Sequence, residues 1–275
     1  MSKSILITGC STGIGYTCAH GLQKLGYNVF ATCRKEEDVE RLRLEGLNAF
    51  RLDLCDSASM HEALVWMLSQ TGGRIDVLFN NAAYGQPGAV EDLRREVLRE
   101  QFETNVFGTL ELTNLVLPYM RKQNSGRIIY NSSILGFVAM SYRGAYNASK
   151  FAIEGLVDTL RLELHKSGIE VVLIEPGPIR SDFRKNALAK FLKHIDQENS
   201  AHRDVYAKTL KRLQKTGDAP FTLGAEAVLE VLVKAIEAKK PKARYAVTFP
   251  TKLFAVLKRL FPTSMIDYMA RKAGE

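Results

Sequence analysis

The chain has no long apolar run. None of its stretches approaches the roughly 18 consecutive apolar residues of a membrane-spanning helix, which excludes an integral helical membrane protein. It is also poor in the residues that build metal centres and disulfide frameworks. The four cysteines, Cys10, Cys18, Cys33 and Cys55, form no C-x-x-C pair and have no histidine cluster beside them. We read them as small buried thiols in a reducing compartment and expect no metal site. The opening MSKSILITG enters a strand-like run without a charged leader or cleavage site, so we expect no signal peptide and a cytoplasmic location. Acidic residues are scarce at one end. Residues 234–275 hold ten Lys/Arg against three acids, which accounts for +7 of the net +8. The basic balance therefore belongs to a C-terminal segment, and we expect no nucleic-acid partner.

What is present, in 275 residues with 46% hydrophobic content, is an alternation of strands and helices. Apolar β runs are expected at Ser4–Thr8, Tyr27–Cys33, Asn48–Leu54, Asp76–Asn80, Arg127–Ser132 and Ile169–Glu175. Helical spacing separates them, with two distinct helices expected around Leu93–Thr104 and Val106–Gln123 and a long one over Ala145–Lys166. This order implies an α/β fold of Rossmann type: a doubly wound, mostly parallel sheet with helices on both faces. We expect one domain over residues 1–250, with a polar substrate lid at 180–220, and a basic amphipathic tail at 251–275.

Three side chains name a reaction. Tyr146 and Lys150 are four residues apart in Y-N-A-S-K, on one helix face, and Ser133 lies thirteen residues upstream. An ammonium beside a phenol can lower its pKa toward that of a working proton donor, and a serine hydroxyl can hold a carbonyl oxygen. The neighbouring Ser132 is set aside because the thirteen-residue spacing favours Ser133. A hydride source is implied by Thr8-Gly9-Cys10-Ser11-Thr12-Gly13-Ile14-Gly15, which joins the first strand to the first helix. Its glycines suit close approach of a pyrophosphate to the helix N-terminus. The second strand ends in Cys33-Arg34-Lys35 rather than in a carboxylate that would bind a ribose 2′-hydroxyl. Arg34 can pair with a 2′-phosphate, which points to NADP(H); the alternative is a solvated Arg–Lys pair.

These residues resemble the short-chain dehydrogenase/reductase family over about residues 4–182. Besides the Gly9–Gly15 loop, Asp53-Leu54 looks like the family's adenine-contacting pair. Asn80-Asn81-Ala82-Ala83 resembles its N-N-A-G motif, with Ala83 where glycine is usual. Asn105 in N-V-F-G matches its catalytic asparagine, and Ser133, Tyr146 and Lys150 match its catalytic trio. Pro176, Gly177 and Ile179 match the turn that lines the nicotinamide. Within the family, F-A-T-C-R and E-P-G-P-I-R look like the 17β-hydroxysteroid and retinol dehydrogenase-like group, in particular its bacterial NADP-dependent aldehyde reductases.

The resemblance implies hydride transfer between a nicotinamide and a carbonyl or alcohol. Tyr146 would be the proton donor and Ser133 would hold the oxygen. Lys150 would lower the phenol pKa and hold the ribose. Asn105 would brace a kinked helix and, through its carbonyl, a relay water. Around the expected pocket stand Leu135, Phe137, Val138, Met140 and Phe183, with Tyr84 and Tyr142 as further candidates. No carboxylate or arginine cluster converges there in the sequence, although Arg143 and Arg180 are near. An apolar aldehyde or ketone is expected, with a retinol- or hydroxysteroid-type alcohol as the alternative. The tail's Leu253, Phe254, Leu257, Leu260 and Phe261, flanked by lysines, predict either a helix packed on the protein or a peripheral membrane contact. A homo-oligomer is expected. Two rival functions use the same fold: a non-enzymatic NADP(H) sensor, and an epimerase or dehydratase that recycles its hydride.

Overall fold

A computed structural model describes residues 2–214 and 217–274. Among these, seven strands form one parallel sheet. They are β1 (Ser4–Ile7), β2 (Asn28–Cys33), β3 (Asn48–Arg51), β4 (Val77–Asn80), β5 (Gly126–Asn131), β6 (Ile169–Glu175) and β7 (Arg244–Ala246). Their order is β3-β2-β1-β4-β5-β6-β7, so the winding reverses between β1 and β4. The crevice at the carboxyl ends beside such a reversal is where this architecture binds ligands.

The two-residue period of the strands builds the two layers. Ile5, Ile7, Val77, Phe79, Ile129, Val172 and Ile174 point to one face. There they meet Cys18 and Leu22 of α1 (Gly13–Lys24), Val39 and Leu42 of α2 (Glu36–Leu44), and Val228 and Leu232. The alternating Leu6, Leu78, Ile128, Tyr130, Val171 and Leu173 face the other layer. That layer holds Met60 and Leu64 of α3 (Ser57–Thr71), with Leu112, Val116, Ile153 and Val157. Both faces of every central strand are thus covered, as a parallel sheet requires.

The break expected at Asn105 is not a break. The chain runs from α4 (Arg95–Phe102) through a π-helical turn at Glu103–Phe107 into α5 (Gly108–Gln123). The wider turn takes up the extra residue and turns the Asn105 side chain inward. The next helices are α6 (Gly144–Glu163), α7 (Phe183–His194), α8 (Arg203–Gln214), α9 (Glu226–Glu237), α10 (Phe249–Leu260) and α11 (Thr263–Gly274). The lid segment thus forms two helices, α7 and α8, whose Phe191 and Tyr206 make a small core of their own. The C-terminal helices pack on the segment that follows Ser133: Phe254 and Ala270 meet Ile134 and Val138. No helix among the described residues is long and apolar enough to cross a membrane.

Candidate active site

A single cleft of about 2010 Å³ opens at the carboxyl end of the sheet. That exceeds the ~300–1,000 Å³ of an ordinary small-molecule pocket and leaves room for a dinucleotide with a second ligand. The residues that the sequence nominated for cofactor, substrate or chemistry line it, with the exception of Asn105 and of the pocket candidates Phe137, Val138 and Tyr142.

The Gly-rich loop is shaped by close packing. Gly9 has φ +71°, and a Cβ there would lie 2.9 Å from Ala82 Cα. A Cβ on Gly15 would overlap the Gly9 carbonyl oxygen, so the first turn of α1 can sit directly on the loop. The strand-four motif holds the loop from below. The backbone N–H groups of Asn81 and Ala82 both donate to Thr8 Oγ1 at 3.0 Å, and Asn81 Nδ2 donates to the Thr8 carbonyl at 2.9 Å. Ala83, standing in for glycine, sits outside the positive-φ region, so the substitution carries no backbone strain. A residue absent from the sequence argument, Arg41 of α2, donates to the Ser11 carbonyl at 2.7 Å and pairs with Asp38. Its i, i+3 pair with Asp38 was visible in the sequence; its reach to the loop was not.

Arg34 is exposed at the cleft rim, and no ion pair engages it among the described residues, whereas Lys35 is paired with Glu37 at 2.8 Å. A free guanidinium beside the cradle fits a 2′-phosphate. Asp53 and Leu54 fall after β3, which ends at Arg51 rather than at Leu54. There Asp53 Oδ1 caps the local turn, accepting from Cys55 N–H at 3.0 Å.

Ser133, Tyr146 and Lys150 come together from two elements. Ser133 follows β5, and Tyr146 and Lys150 lie one turn apart on α6. Burial pushes the Tyr146 phenol well above the usual tyrosine range, and a hydrogen bond with Ser133 opposes that rise. Tyr146 is thereby kept protonated, as a donor must be. Lys150, 4% exposed, donates from Nζ to the Asn131 carbonyl at 2.7 Å and lies 5.7 Å from the centre of the Tyr146 ring. Burial pushes its ammonium down to about 8, with Glu154 holding it up. In this structure the Lys150 ammonium is bonded to the Asn131 carbonyl, and the Tyr146 phenol is bonded to Ser133. The Ser132 hydroxyl instead donates to Glu154.

Behind this trio lies a buried charge network that sequence reasoning missed. Arg244 of β7 reaches Glu154 at 2.9 Å, Asp158 at 2.7 Å and Glu175 at 3.1 Å. One guanidinium cannot balance three carboxylates, and Glu175, the most buried, is pushed up to about 7 by burial and by Glu154. Its only early sign was two glutamates, one at a strand end and one a turn beyond Lys150.

Asn105 sits behind the cleft, 1% exposed. Its amide donates to the Tyr84 carbonyl at 3.0 Å and to Ser149 Oγ at 3.1 Å, and its Oδ1 accepts from Tyr84 N–H. Its own carbonyl accepts from Thr109 Oγ1 at 3.0 Å. It ties α6 to the loop after β4 and touches no open space.

Phe183 meets Tyr146 edge-on, with ring centres 5.2 Å apart, and Leu135 and Met140 also face the cleft. Phe137 and Val138 do not: they turn toward Phe254 and Met269 because the C-terminal helices need an apolar seat. Tyr142 packs on Tyr206 beneath the lid rather than in the cleft, whereas Tyr84 reaches the cleft with Lys190 over its ring. No arginine cluster was expected to converge on the pocket, with Arg143 and Arg180 near it; Arg143, Arg180 and Arg184 all line the cleft. Phe249, Leu253 and Phe254 of α10 also wall the cleft, more than 100 residues beyond Tyr146.

Pro176 and Gly177 follow β6 on the cleft floor, where the Pro176 carbonyl accepts from Ile134 N–H at 2.8 Å. A Cβ on Gly177 would overlap Thr248 Oγ1, so only glycine lets this turn lie against α10. Ile179 pairs with Leu223 and closes the floor.

Comparison with known proteins agrees with this geometry. A family profile described as short chain dehydrogenase matches residues 3–191. An uncharacterized oxidoreductase of Escherichia coli, YbbO, is 41% identical over 268 residues, covering 97% of this chain and 93% of its own. A 3-ketodihydrosphingosine reductase of Bacteroides thetaiotaomicron is 36% identical, covering 97% of this chain and 96% of its own. A short-chain dehydrogenase from Streptomyces avermitilis superposes with a TM-score of 0.78 at 29% identity, covering 94% of each chain. The cradle, the Ser133–Tyr146–Lys150 cluster and these matches lead to one conclusion: the chain belongs to the short-chain dehydrogenase/reductase family.

Proposed function

We propose that the protein is an NADP(H)-dependent oxidoreductase that reduces the carbonyl of an apolar aldehyde or ketone. The observation that carries this reading is the juxtaposition of Ser133 and Tyr146 in a cleft whose far end is the Gly9–Gly15 cradle and Arg34. A bound nicotinamide dinucleotide supplies the hydride. Its pyrophosphate would rest on Ser11–Gly15, its adenine side on Asp53, Leu54, Asn81 and Ala82, and a 2′-phosphate on Arg34. Lys150, Pro176, Gly177 and Ile179 would line the nicotinamide end. Ser133 holds the carbonyl oxygen, and Tyr146 gives its phenolic proton to that oxygen as negative charge develops. This positioned proton transfer contributes on the order of 10²–10⁴-fold. Lys150 holds the Asn131 carbonyl and supplies positive charge at the site. Asn105 is a positioning residue, which acts through Tyr84 and Ser149.

Leu135, Met140 and Phe183, with Phe249 and Leu253, make the substrate wall apolar. The 3-ketodihydrosphingosine reductase named above acts, by its name, on a long-chain ketone, which suits such a wall. We also propose a cytoplasmic location and a homo-oligomer, in which a second copy of the chain covers exposed Phe107, Phe151 and Leu162. The exposed Val256 and Leu260 of α10, beside Lys252 and Arg259, carry the proposed peripheral membrane contact. The test is a panel of aldehydes and ketones with NADPH and with NADH. Carbonyl-dependent NADPH oxidation is expected; cofactor binding without oxidation would leave a sensor.

A further inference from the structure

The face of α6 that carries Tyr146 does not end at Lys150. Tyr146, Lys150, Glu154 and Asp158 recur four residues apart along the helix, which places them on one side of it. Each of the first three meets one of three consecutive residues at the end of β5. Lys150 holds the Asn131 carbonyl at 2.7 Å, Glu154 takes the hydroxyl of Ser132, and Tyr146 bonds to Ser133. Tyr146 and Lys150 have parts in the proposed reaction, whereas Glu154, 6% exposed, has none.

Glu154 accepts on both sides. Its Oε1 accepts from Ser132 Oγ, and its Oε2 accepts from Arg244 Nη2 at 2.9 Å. Arg244 also donates to Asp158 Oδ2 at 2.7 Å, which fixes the guanidinium along the same face of α6. It comes from β7, outside the residues 3–191 that the family profile matches. Burial raises the Glu154 carboxyl, and the bonds from Ser132 and Arg244 oppose that rise. Ser132 and Glu154 together carry the chain that follows Ser133. A Cβ on Gly136 would lie 2.6 Å from Ser132 Oγ and 2.9 Å from Glu154 Oε1, so the turn at Ile134–Gly136 rests directly on them. Within that turn the Leu135 N–H donates to Ser133 Oγ at 3.1 Å. A line of contacts therefore runs from Arg244 through Glu154 and Ser132 to the turn, and from the turn to the hydroxyl that meets Tyr146.

We infer that Glu154 is a positioning residue for the reaction: by fixing Ser132 and the turn at Ile134–Gly136 it aims the Ser133 hydroxyl at Tyr146, and Arg244 in turn fixes Glu154. A carboxylate suits this place because both of its oxygens face donors. Glutamine fills the same volume but cannot reproduce both contacts. Either its amide nitrogen faces the Arg244 donor, or the Ser132 hydroxyl loses its acceptor. The main chain beside Ser133 is already pinned to β6, with Ser132 N–H on the Ile174 carbonyl and Ile134 N–H on the Pro176 carbonyl, each at 2.8 Å. What Glu154 adds is the hold from the α6 side, where the phenol stands. The inference rests on the carbonyl-reductase reading for what Ser133 and Tyr146 do, but the placement of Ser133 is measurable without turnover.

The test uses the full chain as Ser132→Ala, Glu154→Gln and the double variant, with steady-state kinetics and a crystal structure of each. Each single change should lower kcat for carbonyl reduction on the order of tenfold, the equivalent of one lost hydrogen bond. KM for NADPH should stay near that of the wild type, because the cradle is untouched. The double variant should be no slower than the slower single variant, as expected when two residues act through one contact. In the structures of both single variants the Ser133 hydroxyl should leave Tyr146 while α6 and β5 keep their places. An unchanged kcat, losses that multiply in the double variant, or a Ser133 that stays on Tyr146 in both structures would overturn the inference. Should Glu154→Gln not fold, Ser132→Ala, which leaves every charge in place, decides by its kcat and its structure. Failure of the reductase reading looks different: no carbonyl would consume NADPH even in the wild type, while Ser133 would still leave Tyr146 in the variants.

Discussion

The carboxyl edge of the sheet and the C-terminal helices face each other across one cleft, and they are built in opposite ways. On the sheet side, groups are held by short-range geometry. Thr8 takes two backbone donors from the segment that follows β4, and Lys150 is fixed to the end of β5. On the helical side, Phe183 of α7, Phe249 and Leu253 of α10 and Phe221 of the segment between α8 and α9 line the cleft and stay substantially exposed. The difference separates two tasks. A hydride and a proton must arrive at a fixed point, which calls for a rigid floor. A substrate must enter and leave, which calls for a wall that can yield.

The largest effect should come from the floor. Tyr146→Phe removes one oxygen from a packed ring and should lower turnover by about 10²–10⁴-fold while NADPH affinity stays near that of the wild type. Steady-state rates and fluorescence titration of NADPH check both halves. If the substitution instead weakens NADPH binding and spares turnover, floor and wall have been assigned the wrong tasks.

The wall should respond in stability and KM. Phe254, 6% exposed, joins α10 to Ile134 beside Ser133. Phe254→Ala should cost about 3 kcal/mol in urea unfolding, in line with the loss of a buried aromatic. It should raise KM for long substrates more than it lowers kcat. An unchanged midpoint would mean that the C-terminal helices are an appendage after all.

At the rim of the floor, Arg34→Ala should weaken NADPH by roughly tenfold or more and leave NADH nearly unchanged, because one charge-assisted contact to a 2′-phosphate is lost. Equal losses for both cofactors would remove the phosphate assignment.

The smallest effect concerns the network that joins floor to wall. Glu175 has its folded carboxyl raised to about 7 from an ordinary 4.5. Its contribution to stability is present below about 4.5 and is lost as pH rises toward 7, because the folded state holds a proton that the unfolded state has released. Glu175→Gln should flatten that slope by about 1–2 kcal/mol between pH 5 and pH 8, measured by urea midpoints. An unchanged slope would show that Arg244 keeps Glu175 ionised throughout.

The same division marks what could be read in the sequence. The cradle, Ser133, Tyr146 and Lys150 were legible because strand ends and helix turns fix their neighbours within a few residues. Asn105 was legible as a brace, but its distance from the cleft was not, since a π turn within one continuous helix looks like two helices in a residue pattern. Ser132 and Ser133 differ in role because of Glu154, which lies 22 residues away. The reach of Arg41 to Ser11, the Arg244 network and the seat of α10 all join distant segments. Local periodicity carries no information about such contacts.

The central claim is that this cleft moves a hydride to a carbonyl carbon with Tyr146 completing the alcohol. The direct measurement is transfer of deuterium from C4-deuterated NADPH to a long-chain ketone or aldehyde, read by mass spectrometry of the product. The account predicts one deuterium on the carbinol carbon, one NADP⁺ formed per alcohol, and loss of both in Tyr146→Phe. Tight NADPH binding with no deuterated alcohol, or product formed without net NADPH consumption, would contradict it.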